Sequence, residues 1–352
     1  MTRIAENLKK CFAIFAFWLA PVVASQAVAD SYDLPTDGSM LVGKIHIVIP
    51  THENTLLDIA RHYDVGYHEI TWANPDINVW TPGENARVVV PTQFILPPKP
   101  WKGIIVNISQ RRLFYFPATK KGEAAQVITF PISIAREGWS TPLGETKVVA
   151  KHKDPAWFVP KSIQAEHKQQ GEIEFPEYFP PGPDNPMGML AIQTGFPGIF
   201  IHGTNRPWGV GMRTSHGCLH LYPEDAAILF PLMNAGIPIR VIDEPFVVGT
   251  QGDQLMMASY EPVAEYGATA NLFTRAVLAL TPYLKGDAKA KMPALDVAWD
   301  KIQKLVDKKI VVPISVSPGG KSLEDTISST LPEPYDFPPY GVDANDASLP
   351  GE

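Results

Sequence analysis

The segment Ile201-His-Gly-Thr-Asn-Arg-Pro-Trp-Gly-Val-Gly-Met-Arg-Thr-Ser-His-Gly-Cys-Leu-His220 sets Cys218 among His202, His216 and His220. The chain has 2 cysteines, and the other, Cys11, falls in an N-terminal stretch composed like an export signal. There Arg3, Lys9 and Lys10 precede the apolar run Cys11–Ala20, and small residues follow up to Ala27-Val28-Ala29. Charged, then apolar, then small is the order of a secretory signal. Cleavage after Ala29 is expected, which leaves Cys218 as the single thiol of the mature chain. A lone thiol outside the cytoplasm has no internal disulfide partner, so nucleophilic chemistry is expected of it.

A free thiol has a pKa of about 8.5, and only the thiolate attacks, so a base or a positive field is required beside it. His202 is the candidate base. It follows the branched run Ile199-Phe-Ile201, while Cys218 precedes a helix start near Tyr222. Two elements that meet in the fold would bring imidazole and thiol within reach. Gly203 and Gly217 permit close backbone approach. Backbone N–H groups of His216, Gly217 and Cys218 aimed at one point would form an oxyanion site, with Ser215 and His216 in support.

Working outward, short runs rich in branched residues recur at 104–108, 112–116, 126–134, 146–149, 190–193, 199–201 and 237–242, punctuated by Gly and Pro. That spacing predicts a mainly β unit of sandwich or barrel kind over residues 101–243. One helix is predicted from Pro223, with Glu224 and Asp225 in its first turn and Gly236 at its end. A proline-rich insertion at about 153–187 is read as a flap over the site. Upstream, residues 30–43 read as an exposed leader. Residues 44–97 read as strand, helix, helix, strand, with a capping signal at Thr55 and Asp58. Pro97-Pro-Lys-Pro100 reads as a stiff linker. Residues 244–330 form a partly helical extension, with helices over 271–284 and 295–306. The tail 331–352, rich in Pro and acids, is expected to be disordered.

Two resemblances follow from these residues. Thr55-Leu-Leu-Asp-Ile-Ala-Arg-His-Tyr63, Trp72-Ala-Asn-Pro75 and Val88-Val-Val-Pro91 resemble a LysM domain, which implies binding to the N-acetylglucosamine backbone of peptidoglycan. His202-Gly203 with Ser215-His216-Gly217-Cys218, together with Ser140-Thr-Pro-Leu-Gly144 and Pro180-Pro-Gly-Pro-Asp-Asn-Pro-Met-Gly188, resembles the catalytic domain of the L,D-transpeptidases, the YkuD family. The resemblance implies a β-sandwich catalytic domain, Cys218 as nucleophile, His202 as base oriented by a carbonyl such as that of Gly203, and His216 in support. It also implies attack on the carbonyl after the third residue of a peptidoglycan stem, loss of the fourth-position D-alanine, and a thioester resolved by an amine. That amine belongs to a second stem, giving a 3–3 crosslink, or to a lysine of an outer-membrane lipoprotein. Water as acceptor would make a carboxypeptidase or a lipoprotein-releasing hydrolase, and a carbapenem would label Cys218. The chain departs from the family at His220, where Arg or Asn is usual and an arginine could fork onto a carboxylate. This puts substrate preference in doubt and keeps open an inactive wall-binding protein. Trp208 and Arg213 are candidates to line the substrate groove.

Composition narrows the partners. The formal charge of −7 becomes −9 once Arg3, Glu6, Lys9 and Lys10 leave with the signal, which argues against nucleic acid. The apolar run 11–20 is short for a membrane span. His202, His216, Cys218 and His220 are also residue types of a four-ligand zinc site, but the two-residue spacing around Cys218 shares a face only in extended chain. No metal and no cofactor are expected, and the protein is read as periplasmic.

Overall fold

The computed structural model describes residues 31–51, 53–83, 85–120, 122–172, 174–267, 271–286 and 294–340. The expected signal, residues 1–29, lies outside them. The chain is mainly β, as expected. Ser31–Asp33 (β1) and Leu41–Gly43 (β2) occupy the stretch read as an exposed leader. That reading fails: β1 pairs antiparallel with residues 126–128, and Leu41 and Val42 are buried. His46–Pro50 (β3), Leu56–His62 (α1), Tyr67–Ala73 (α2) and Val88–Val90 (β4) give the expected strand-helix-helix-strand order. The capping box forms: Asp58 N–H donates to Thr55 Oγ1 at 3.1 Å and Thr55 N–H to Asp58 Oδ2 at 2.8 Å. Gln93–Ile95 (β5) then closes back on β2.

The segment 97–100 is not a free linker. Trp101 Nε1 donates to Pro97 O at 2.8 Å, and Arg240 donates to the carbonyls of Pro98 and Lys99. Beyond it run Gly103–Asn107 (β6), Arg112–Phe116 (β7), Gln126–Pro131 (β8), Ile134–Ala135 (β9) and Gly144–Lys153 (β10). The insertion holds Trp157–Phe158 (β11), Lys161–Gln169 (α3) and Tyr178–Phe179 (β12). Leu190–Thr194 (β13), Phe200–His202 (β14), Arg213–Ser215 (β15), Leu219–His220 (β16), Pro223–Leu232 (α4) and Pro238–Ile242 (β17) complete this part. Among the described residues, 9 strands form the main sheet, in the order β1-β8-β7-β6-β17-β10-β13-β14-β16. β10 changes partner along its length, pairing with β17 over 144–147 and with β13 over 148–153.

Both faces of this sheet are covered, so β6 and β7 are buried at every position. On one face Ile104, Val106, Leu113 and Phe130 meet Ile192, Ile201 and Leu219 around Leu229 of α4 and Met233 just beyond it. Strands from both ends of the sheet thus share one core. One curved sheet makes the closure that a sandwich makes with two, as twist allows. On the other face Ile105, Phe114 and Phe116 pack against Leu56, Ile59 and Ile70 of the small helical unit. The joint is locked by Arg112, wholly buried, which donates through Nε and Nη2 to the two oxygens of Glu69 on α2, both at 2.8 Å.

The extension builds its own core from Phe246–Gln251 (β18), Gln254–Ser259 (β19), Leu272–Lys285 (α5), Trp299–Asp307 (α6), Ile314–Ser315 (β20) and Leu323–Ser329 (α7). The expected disordered tail needs correction as far as residue 340. Pro332–Tyr335 (β21) runs parallel to β3, and Tyr335 is wholly buried with its hydroxyl donating to Asp58 O at 3.3 Å. Prolines are tolerated on an edge strand when their donorless nitrogens face outward, and Pro332 and Pro334 sit two residues apart, on one side. Residues 341–352 lie outside the described residues.

Candidate active site

β14 and β16 run parallel, with Ile201 opposite Leu219 and His202 opposite His220. Ile201 and Leu219 point into the core. Strand alternation then sends Phe200, His202, Cys218 and His220 to the opposite face, where all four line one cleft of about 2060 Å³. Cys218 is diagonal to His202 on that face, a relation within reach of long side chains. Cys218 Sγ accepts from Phe200 N–H at 3.4 Å, and the thiol donates to Gly198 O at 3.6 Å.

The imidazole is fixed in one tautomer. His202 Nδ1–H donates to Gly203 O at 2.6 Å, which leaves Nε2 as the acceptor. Burial pulls the His202 pKa down to about 4 against the opposing bonds to the carbonyls of Gly203 and Met187. Burial also pushes the Cys218 thiol up to about 11, opposed by the Phe200 N–H. At rest the pair is therefore neutral thiol beside neutral imidazole. His220, 4.6 Å from His202 between ring centroids, is held well below the usual histidine range by burial and then by its histidine neighbours. The His216 pKa is lowered by burial and by the Arg136 charge.

The loop carrying the thiol is closed by its own serine. Ser215 Oγ donates to Cys218 O at 2.6 Å and accepts from Gly217 N–H at 3.1 Å, while Thr141 Oγ1 donates to Gly217 O at 2.7 Å. The Gly217 N–H is thus engaged at rest rather than aimed at an oxyanion, and the part Gly217 plays is conformational. Its φ is +120°, and a Cβ there would lie 2.9 Å from Ile199 Cδ1 and 3.1 Å from Ser140 O. Gly217→Ala is accordingly expected to displace the loop by a fraction of an ångström and to lower turnover by about 10²-fold, which steady-state kinetics on a correctly folded variant would check.

Other expectations are met differently. The close approach assigned to Gly203 belongs to Gly188, whose Cβ would come within 3.0 Å of Gly203 C, whereas a Cβ on Gly203 makes only ordinary contact. Trp208 lines the cleft. Arg213 does too, but its guanidinium is committed to Glu265 Oε1 at 2.7 Å and to Ala135 O at 3.1 Å. Sequence reasoning missed Arg136 and Glu166. They pair at 2.6 Å beside His216, whose Nε2 is 3.1 Å from Glu166 Oε2. These residues are 30 or more positions apart along the chain, so no local spacing announces them. The insertion does border the cleft, through Phe158, Ile163, Glu166 and Met187. Among the described residues, no cluster of His, Cys, Asp and Glu is arranged to hold a metal, and no helix is long and apolar enough to cross a membrane.

This fold and cleft define an acyltransferase. Residues 102–241 match the YkuD family, the L,D-transpeptidase catalytic domain. The chain is 31% identical over 320 residues to "Probable L,D-transpeptidase ErfK/SrfK" of Salmonella typhimurium (strain LT2), covering 90% of this chain and 100% of that one. It is 38% identical over 245 residues to "Probable L,D-transpeptidase YbiS" of Escherichia coli (strain K12), covering 69% and 76% of the two. The solved catalytic domain of the E. faecium L,D-transpeptidase is 21% identical, with 40% of this chain and 96% of that one covered at a TM-score of 0.29. The protein belongs to the L,D-transpeptidase family.

Proposed function

We propose that Cys218 attacks the carbonyl after the third residue of a peptidoglycan stem, with His202 Nε2 taking the thiol proton. A sulfur–carbon bond forms, the amide bond to the fourth residue breaks, and the proton passes from His202 to the departing amine. An acceptor amine then attacks the thioester, returns its proton through His202, and releases the thiol. Shared placement of Cys218 and His202 on one face of adjacent parallel strands, with the imidazole locked in the accepting tautomer, carries this reading.

The strand-helix-helix-strand unit is read as a LysM module that binds the glycan strand. Its element order and the Thr55 to Tyr63 helix support this. Because it packs on the back of the catalytic sheet, binding would hold the cleft at a fixed distance from the polymer and raise the local stem concentration. The export pattern over residues 1–29 supports a periplasmic site of action. Mass spectrometry of muropeptides from treated sacculi tests the whole reading. New 3–3 dimers are the expected product with stems as acceptor. Lipoprotein-derived remnants would assign the lysine acceptor and shortened stems would assign water, while sacculi left unchanged would refute acyl transfer.

A further inference from the structure

Among the described residues, five Lys and Arg side chains border the cleft; Arg213 and Lys151 are spent, and Lys153 is exposed. Arg213 is tied to Glu265 and Ala135 O. Lys151 Nζ donates to Phe230 O at 2.9 Å and sits over that ring. Arg206 stands at the exposed rim. Arg136 differs. Its backbone N–H donates to Ser215 O at 2.9 Å, which clamps it to the strand that leads into Ser-His-Gly-Cys. Its guanidinium touches His216 Nε2 and meets Glu166 through a single prong, Nη2 to Oε2 at 2.6 Å. The Nε of Arg136 is buried with no acceptor. A buried donor left unpaired is costly, and guanidinium prefers a carboxylate on two parallel N–H groups.

Glu166 arrives from α3 of the insertion, a helix with only Ile163 buried among its residues. Burial tends to raise its pKa, but the bond and charge of Arg136, and then His216, hold it below the usual carboxylate range. It is therefore an ionised carboxylate, from a lightly anchored helix, half-filling an arginine fork at the catalytic loop. We propose that Arg136 binds a carboxylate of the stem-peptide donor, and that Glu166 is an internal stand-in which the donor displaces. This rests on the reaction proposed above. It supplies the carboxylate-holding cation that position 220 lacks, and it gives the insertion a latch that opens when donor enters.

The test is binding of a synthetic tetrapeptide stem to the Cys218→Ala protein by calorimetry, using the free acid, its C-terminal amide and a form amidated on the third residue's side chain. The free acid is expected to bind about tenfold or more tighter than one of the two amides, and whichever amide loses affinity identifies the carboxylate read. Adding Glu166→Gln should tighten the acid several-fold and leave that amide unchanged. Adding Arg136→Gln should erase the acid preference, Arg136→Lys should restore part of it, and Arg206→Gln should leave it intact. Persistence of the preference in R136Q, its loss in R206Q, or weaker acid binding in E166Q would overturn the assignment. Acyl transfer by the unaltered protein keeps the two questions apart. Transfer with no acid preference sinks the Arg136 site alone, and absence of transfer from any stem sinks the reaction and this ligand together.

Discussion

Replacing Cys218 with Ala is expected to lower acyl transfer by about 10⁴-fold or more, the scale on which removal of a nucleophile acts. The unaltered protein mixed with a tetrapeptide stem should gain the mass of an acyl group lacking the fourth residue, and the variant should gain nothing. The pH dependence follows from the same pair. Below about pH 4 the His202 imidazole takes a proton and loses its acceptor nitrogen, so kcat/KM should fall on the acid side. With the thiol near 11, neither group changes state between those limits, and kcat/KM should be flat through neutrality with no inflection near 6.5. Alkylation of Cys218 by iodoacetamide in the free protein should be slow at pH 7 and rise toward pH 11. Fast alkylation at neutral pH would mean a resting thiolate–imidazolium pair and would defeat the account of a proton moved only during attack.

That neutral resting pair shifts where the positive field must come from. The sequence offered three histidines around one cysteine, which invites reading them as its charge partners. In the fold, burial holds His202, His216 and His220 all below the usual histidine range, joined at His216 by the Arg136 charge and at His220 by its two histidine neighbours. The permanent cation beside the catalytic loop is Arg136, in contact with His216. It follows β9, a different strand, and was not singled out by any local pattern.

The same division runs through the whole molecule. Features written into neighbouring residues were legible: the capping box at Thr55 and Asp58, the β-rich run from 103 to 242, the helix at Pro223 and the Ser215–Cys218 loop. Features that depend on distant partners were not. Tyr335 reads as one of a few aromatics in a proline-rich tail, yet the edge of β3 accepts its segment as a parallel strand. Leu41 and Val42 read as a leader because the strand that covers them, Gln93–Ile95, lies some fifty residues on. Pro97 to Pro100 reads as a spacer because stiffness is local, while the Arg240 that fastens it is not. Gly203 drew attention through its motif, but contact distance assigns the tight approach to Gly188.

Glu69→Ala should be the most destabilising single change at the joint between the two units, by roughly 3–5 kcal/mol. Glu69 accepts Arg112 on both oxygens and also takes the N–H of Gly66 at the start of α2, at 2.7 Å. Removing it strands a wholly buried guanidinium. Thr129 Oγ1 and Asp64 O still accept from it, and Phe94 lies under it at 3.9 Å, but the carboxylate that takes its Nε and Nη2 groups directly is gone. The α2 N-terminus loses its cap in the same step. Urea denaturation of the single variants Glu69→Ala and Arg112→Met and of the double variant would separate these parts. Arg112→Met alone should also be costly, since it leaves a carboxylate buried, whereas the double variant should recover much of the loss because neither charge remains. Additive losses in the double variant would mean that the ion pair contributes nothing as a pair. The small helical unit would then be held to the catalytic part by apolar packing of Leu56, Ile59 and Ile70 against Ile105, Phe114 and Phe116, with the Arg61–Glu224 pair and the Tyr222 hydroxyl on Val65 O.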